Sequence, residues 1–328
     1  MKKILAITLI FVLLASAASA ADYKFGLPKE TMVTVYSSSP GGMWYPIAIA
    51  MINVWQKYIP NLIVRLAPGG SIENARAIIR GDAEFSMTHT VTILNSIQGG
   101  NDAFKEPSDE IRAMAALGPI AIQIVVPKNS TIRSLADLSN RRIAFGNVGS
   151  LHNPAIFEIL ETEYGITPDS IVANGGLVTY LPDVDAIAAV QDEQVEVIVM
   201  NGTWPKVGYE ELALRPGIRL IGIEEDVLKR FVARHPSWSI QIIPAVYTGF
   251  DEKVNSVKTD TIFACSKSAD EEMVYQMTKA FWDNLDEAKT YSTDINMWTT
   301  IELGVSAAGA IPYHEGAIRY YKEIGMMK

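Results

Sequence analysis

Four histidines, His89, His152, His235 and His314, and one cysteine, Cys265, are the side chains here with the widest chemical repertoire. Their spacing supports little catalysis. No histidine has a second metal-ligand type four residues away, and there is no H-E-x-x-H, no G-x-S-x-G elbow and no P-loop lysine. No catalytic residue, cofactor or metal site is therefore expected. What recurs is a polar, glycine-rich turn between the end of a strand and the start of a helix. Three stand out: Ser37-Ser38-Ser39-Pro40-Gly41-Gly42, Pro68-Gly69-Gly70-Ser71 and Gly146-Asn147-Val148-Gly149-Ser150. Each exposes backbone N–H groups at a helix N-terminus, where about half a positive charge accumulates. Glycine lets a ligand approach that backbone closely. One such turn is explained by the needs of a strand–helix junction. Three at the carboxyl ends of strands in an open α/β sheet point to a cleft that binds an anion without any lysine or arginine.

The elements that position these turns alternate almost throughout. Strands are expected at Met32 to Tyr36, Leu62 to Leu66, Glu84 to Thr88 and Ile111 to Leu117. A second block has strands at Ile122 to Val126, Arg142 to Phe145, Val195 to Met200 and Ile218 to Ile223, and a late strand at Thr261 to Cys265. Apolar residues at Trp44, Ile47, Met51, Val54, Trp55 and Tyr58 have helical spacing. Ser71 is placed to cap a helix that stops at Gly81, and Ser134 to cap a short one. A helical run from Ala269 to about Ala288 leads into the C-terminal helices. Repeated strand–helix–strand units predict parallel sheets with helices on both faces.

The chain has 328 residues and a net charge of −9, too long for one core and too acidic for a nucleic-acid partner. It starts with Met1-Lys2-Lys3, an apolar run from Ile4 to Leu14 and an Ala18-Ser19-Ala20 end, the pattern of a secretory signal peptide. Cleavage after Ala20 leaves 308 residues, removes two lysines and takes the charge to −11. The expected product is a periplasmic protein without a membrane span. A single cysteine forms no internal disulfide, and Cys265 reads as an inert thiol in a buried strand.

Several motifs resemble one family in order along the chain. Ser39-Pro40-Gly41-Gly42-Met43-Trp44-Tyr45-Pro46 resembles the first signature of the TAXI solute receptors of tripartite ATP-independent periplasmic (TRAP) transporters. Pro68-Gly69-Gly70-Ser71-Ile72-Glu73-Asn74 is similar to the second. Ser134-Leu135-Ala136-Asp137-Leu138, followed by Arg142-Ile143-Ala144 and Gly149-Ser150, is similar to the middle motif, and His314-Glu315-Gly316-Ala317-Ile318-Arg319-Tyr320-Tyr321 to the ending. The resemblance implies a type II periplasmic binding protein fold with two α/β lobes, a hinge and a ligand cleft. Lobe I would comprise residues 21–118 plus 246–328, and lobe II residues 119–245. It also implies a monomer that captures a small organic anion, an amino acid such as glutamate or a C4–C5 oxo- or dicarboxylate. Hinge closure would then deliver it to TRAP membrane subunits driven by an ion gradient.

Carried over motif by motif, the resemblance puts Ser37, Gly41, Gly42, Trp44, Tyr45, Gly70, Ser71, Asn74, Thr88, His89 and Thr90 on the cleft from lobe I. Asn147, Ser150 and His152 answer from lobe II, with Tyr180 and Asn201 as neighbours. Ser38 and Ser39 replace glycines of the family pattern, Pro40 and Met43 replace threonines, and Trp44 replaces a tyrosine. If His89 and His152 face the cleft, their imidazoles could bind a ligand carboxylate, with affinity changing between about pH 5 and 8. Other readings are a binding protein of the same fold serving an ATP-driven (ABC) importer or a sensor, an exported enzyme, and an adhesive protein without a cleft ligand.

Overall fold

The computed structural model describes residues 24–328 other than Gly41 and Gly149; the signal-peptide reading and Gly41 lie outside the described residues. The first half of the fold uses β1 (Thr31–Ser37), α1 (Trp44–Tyr58), β2 (Leu62–Pro68), α2 (Ser71–Arg80), β3 (Phe85–His89) and α3 (Thr90–Gln98). In β1 the alternation is plain, with Val33, Val35 and Ser37 buried and Met32 turned to solvent. Helix α2 stops where expected, because Gly81 adopts a left-handed φ of 77° and closes the last turn.

The chain then crosses over in a single long strand, β4 (Ile111–Pro127). The second half follows with β5 (Arg142–Phe145), α4 (His152–Tyr164), α5 (Pro168–Ala173), β6 (Leu177–Tyr180), α6 (Asp183–Gln191), β7 (Val197–Gly202), α7 (Val207–Leu214), β8 (Ile218–Ile221), α8 (Glu225–Arg234) and β9 (Ser239–Ile243). A second long strand, β10 (Val254–Ser266), returns to the first half. There α9 (Glu271–Asp283), α10 (Leu285–Tyr291), α11 (Thr293–Trp298), α12 (Ile301–Gly304) and α13 (Glu315–Glu323) finish the chain.

Among the described residues the strands form one sheet in the order β2-β1-β3-β10-β4-β7-β5-β6, with β8 on β4 and β9 on β10. The pairs β1–β2, β1–β3, β5–β6 and β5–β7 are parallel, as expected. Strands β4 and β10 depart from that expectation. β10 runs antiparallel to β3 and β4, and β4 runs antiparallel to β7 and β8. The reason is directional: each enters the sheet of one half from the other half, against the local strands. Both halves thus share one plan, two parallel pairs and then an inserted crossing strand.

The expected strands at 111–117 and 122–126 are one strand because Gly118 and Pro119 stay paired, opposite Thr261 and Asp260. Gly118 also has a packing reason. A Cβ there would lie 3.2 Å from Cβ of Trp298. The strand expected at 261–265 likewise extends back to Val254, where it pairs with β9.

Three apolar cores hold these layers. One fills the first half between the sheet, α1, α9 and α13, and the other two lie on opposite faces of the second half. Buried polar contacts fix the C-terminal helices on the first. Trp55 donates its indole N–H to the Met277 carbonyl, Trp282 donates to the Tyr321 hydroxyl, and that hydroxyl donates to the Met114 carbonyl of β4, each at 2.8 Å. Cys265 is fully buried in β10 and burial pushes its thiol pKa up, as an inert thiol requires.

Phe263 of β10 stacks on Phe85 at 6.0 Å and meets Trp55 at 5.1 Å, so it joins the crossing strand to both β3 and α1. Phe263→Ala should lower the unfolding free energy by about 3–5 kcal/mol, measured by urea denaturation. A loss below about 1 kcal/mol would contradict this packing.

Candidate functional site

A cleft of about 430 Å³ opens between the two halves of the sheet. Helix N-termini surround it. Met43 and Trp44 bring the start of α1, and Gly70 and Ser71 the start of α2. Ser150 and Leu151 precede α4, Asp183 begins α6, and Lys206 precedes α7. Each end contributes the positive pole of its helix dipole and first-turn N–H groups that lack partners within the helix, of which that of Tyr45 in α1 is taken by the Ser38 hydroxyl. Strand ends deliver all five, so the convergence follows from the shared topology of the halves.

Seven of the expected site residues line this cleft: Trp44, Gly70, Ser71, His89, Asn147, Ser150 and Asn201. Ser71 does not cap its helix. Gly70 holds the N-cap position in extended backbone, and the Ser71 hydroxyl turns to Thr92 at 2.6 Å, His89 Nδ1 at 2.9 Å and Thr88 at 3.2 Å. The Trp44 ring lies 4.7 Å from the His89 ring, and its indole N–H donates to the Thr261 hydroxyl on β10 at 3.2 Å.

The other expected residues sit behind or beside the cleft. Asn74 is fully buried and donates to the carbonyls of Ser37 at 3.1 Å and Met87 at 2.8 Å, joining the ends of β1 and β3. Its Oδ1 lies 2.0 Å from where a Cβ on Gly69 would fall, so this turn requires glycine at position 69. Ser37, Thr88 and Thr90 are buried, and Thr88 donates to the Ser71 carbonyl at 3.1 Å. Gly42 lines an adjoining cavity, and the Tyr45 N–H bonds the Ser38 hydroxyl at 3.0 Å. Tyr180 is half-exposed at the end of β6, its ring 6.4 Å from that of Phe145.

Sequence reasoning missed Asp183 and Lys206. An anion site without any lysine was expected, yet Lys206 reaches the cleft, where its ammonium pairs with the Asp183 carboxylate and approaches the Asn201 carbonyl at 3.4 Å. Neither α6 nor α7 starts with a glycine-rich turn. The available signal was position, since Lys206 follows the end of β7 closely.

The histidines also behave differently from the expectation. Burial, with a smaller contribution from the nearby His152, lowers His89 to about 3. Burial lowers His152 to about 4, against partial support from Asp183 and from its hydrogen bond to the Val199 carbonyl at 3.2 Å. His89 lines the cleft, whereas His152 lies beneath it with 2 % exposure. Both rings are therefore neutral between pH 5 and 8 and supply no titrating imidazolium there. Their effect is on stability. Both native values lie below the unfolded value of about 6.5, so only the unfolded chain gains protons as the pH falls below it. Stability is full above that value and declines as the pH falls towards the native values. By pH 5 each ring costs about 2 kcal/mol. A variant with His89→Gln and His152→Gln should lose about 4 kcal/mol less than the parent between pH 7 and pH 5 in urea denaturation. An unchanged pH profile would exclude the two rings as the cause.

The fold is that of the type II periplasmic binding proteins. A solved structure from Bordetella bronchiseptica RB50 superposes with a TM-score of 0.53 at 14 % identity, covering 89 % of this chain and 98 % of that one. XAC2383 from Xanthomonas citri, solved bound to ATP, gives 0.51 at 12 % identity, covering 89 % and 95 %. At these identities the likeness carries the fold alone. Membership rests on the sequence itself: residues 36–325 match the NMT1-like family, and the chain belongs to it.

Proposed function

We propose that this protein is an extracytoplasmic solute receptor that captures a small organic anion in the cleft between its halves and delivers it to a membrane importer. The observation that carries the reading is the convergence of five helix N-termini and Lys206 on one cleft. Such a site binds a carboxylate through backbone N–H groups and a positive potential, whatever the net charge of the chain. Membership of the NMT1-like family supports a solute-binding role. No helix among the described residues is long and apolar enough to cross a membrane.

The two lobes of this reading turn on the two crossing strands. We put the hinge at Gly118–Ile120 in β4 and Thr259–Thr261 in β10, where the strands pass between the halves side by side. Ligand touching both halves would favour the closed posture through its extra contacts there. The NMT1-like match favours an ATP-driven importer as the membrane partner over the TRAP subunits that the motif resemblance implies.

A thermal-shift panel of amino acids, keto acids and dicarboxylates tests the reading. A true ligand at 100 times its Kd should add about 2.7 kcal/mol of stability and raise Tm by several degrees. Silence across the panel, with no compaction in small-angle scattering, would remove the receptor reading.

A further inference from the structure

The Lys206–Asp183 pair is a partition rather than the end of the cleft. Beyond it lies a second cavity of about 340 Å³, and the two cavities share Met43, Asp183 and Lys206 as wall. Gly42 and Pro46 line the second cavity from the first half, and Thr203 and Gly208 from the second. Its remaining charged residue is Asp294, in the first turn of α11. The Thr203 hydroxyl donates to Asp294 Oδ1 at 2.9 Å. Among the described residues no cation lies within ion-pair distance of this carboxylate, and its Oδ2 has no hydrogen-bond partner.

The charges of the two cavities differ in a way that selects a ligand. The first has Lys206 and Asp183 in balance, with positive helix ends around them. The second has two carboxylates, Asp183 and Asp294, against Lys206 alone, a formal excess of one negative charge. Burial raises the Asp294 carboxyl pKa, against the Thr203 hydrogen bond and the more distant charge of Lys206, a cost that an incoming cation would offset. A second carboxylate of a solute would meet like charge there, whereas an ammonium group would complete the balance.

We propose that the second cavity is a subsite for the cationic end of the solute, so that the solute is a carboxylate bearing a distant amino group rather than a dicarboxylate. The solute carboxylate lies in the first cavity against Lys206 and the N-termini of α2 and α4. Its chain passes the Lys206–Asp183 ion pair, and its ammonium donates to Asp294. This inference rests on the receptor reading above and names the solute class for the same cleft.

Calorimetric titration of the full chain with 5-aminopentanoate, glutarate and pentanoate tests it, since the three share a five-carbon chain and differ at one end. 5-Aminopentanoate should bind about tenfold tighter than pentanoate, the gain of one charge-assisted hydrogen bond, and glutarate weakest of the three. Asp294→Asn should bring 5-aminopentanoate to the affinity of pentanoate while leaving pentanoate unchanged, which also shows that the variant is folded. Glutarate binding as tightly as 5-aminopentanoate, or a preference for the amine that survives Asp294→Asn, would overturn the subsite and leave the receptor reading intact. Binding by none of the three would also overturn the subsite, and the receptor reading would then be decided by the thermal-shift panel.

Discussion

The backbone pairing between β4 and β10 is the constraint on which the rest of the molecule depends. These two strands run antiparallel, and each serves both halves. β4 is the outer partner of β10 in the first half and the inserted strand in the second, while β10 is the inserted strand in the first half and carries β9 in the second. The ladder shifts register between Thr261 and Ile262 and again between Phe263 and Ala264. Such irregularities bend a strand and increase its twist without breaking the sheet. The halves are therefore joined by paired backbone instead of a loose linker, and the cleft lies where the parallel strands on each side end.

That arrangement explains why the site is made of helix starts. In each half the parallel strands point their carboxyl ends at the cleft, and the helix after each strand begins there. Rigid parts then fix the turns. Asn74 ties β1 to β3 through two buried hydrogen bonds donated by its side-chain amide, and Gly69 leaves room for that amide's oxygen. Gly208 does similar work for α6 and α7, since a Cβ there would lie 2.1 Å from Ile187 Cδ1. A site held this way has little freedom left to lose on binding.

Much of this was legible in the sequence. The glycine-rich turns at Gly70 and Asn147, the aromatic wall at Trp44 and the stop at Gly81 were found because each has a local signature. The unity of β4 was not, because Gly118-Pro119 reads as a break and only the partner strand overrides it. Ser71 has the chemistry of a cap, but a buried hydroxyl cluster with Thr88, Thr92 and His89 offers it stronger partners. Lys206 and Asp183 were missed for a related reason. They are 23 positions apart with no motif between them, and only the packing of α6 against α7 brings them together. Of the two histidines expected on the cleft, His89 lines it and His152 lies beneath it, and neither titrates between pH 5 and 8, since sequence does not reveal how deeply a ring is buried.

Trp44 connects these observations. One edge of its indole is hydrogen-bonded to Thr261, on the strand that passes between the halves, and its ring lies tilted against His89 in the wall of the cleft. A molecule resting against that ring would press on the stretch of β10 proposed above as part of the hinge. On that proposal, occupancy and posture would share one mechanical component, with no separate messenger between them.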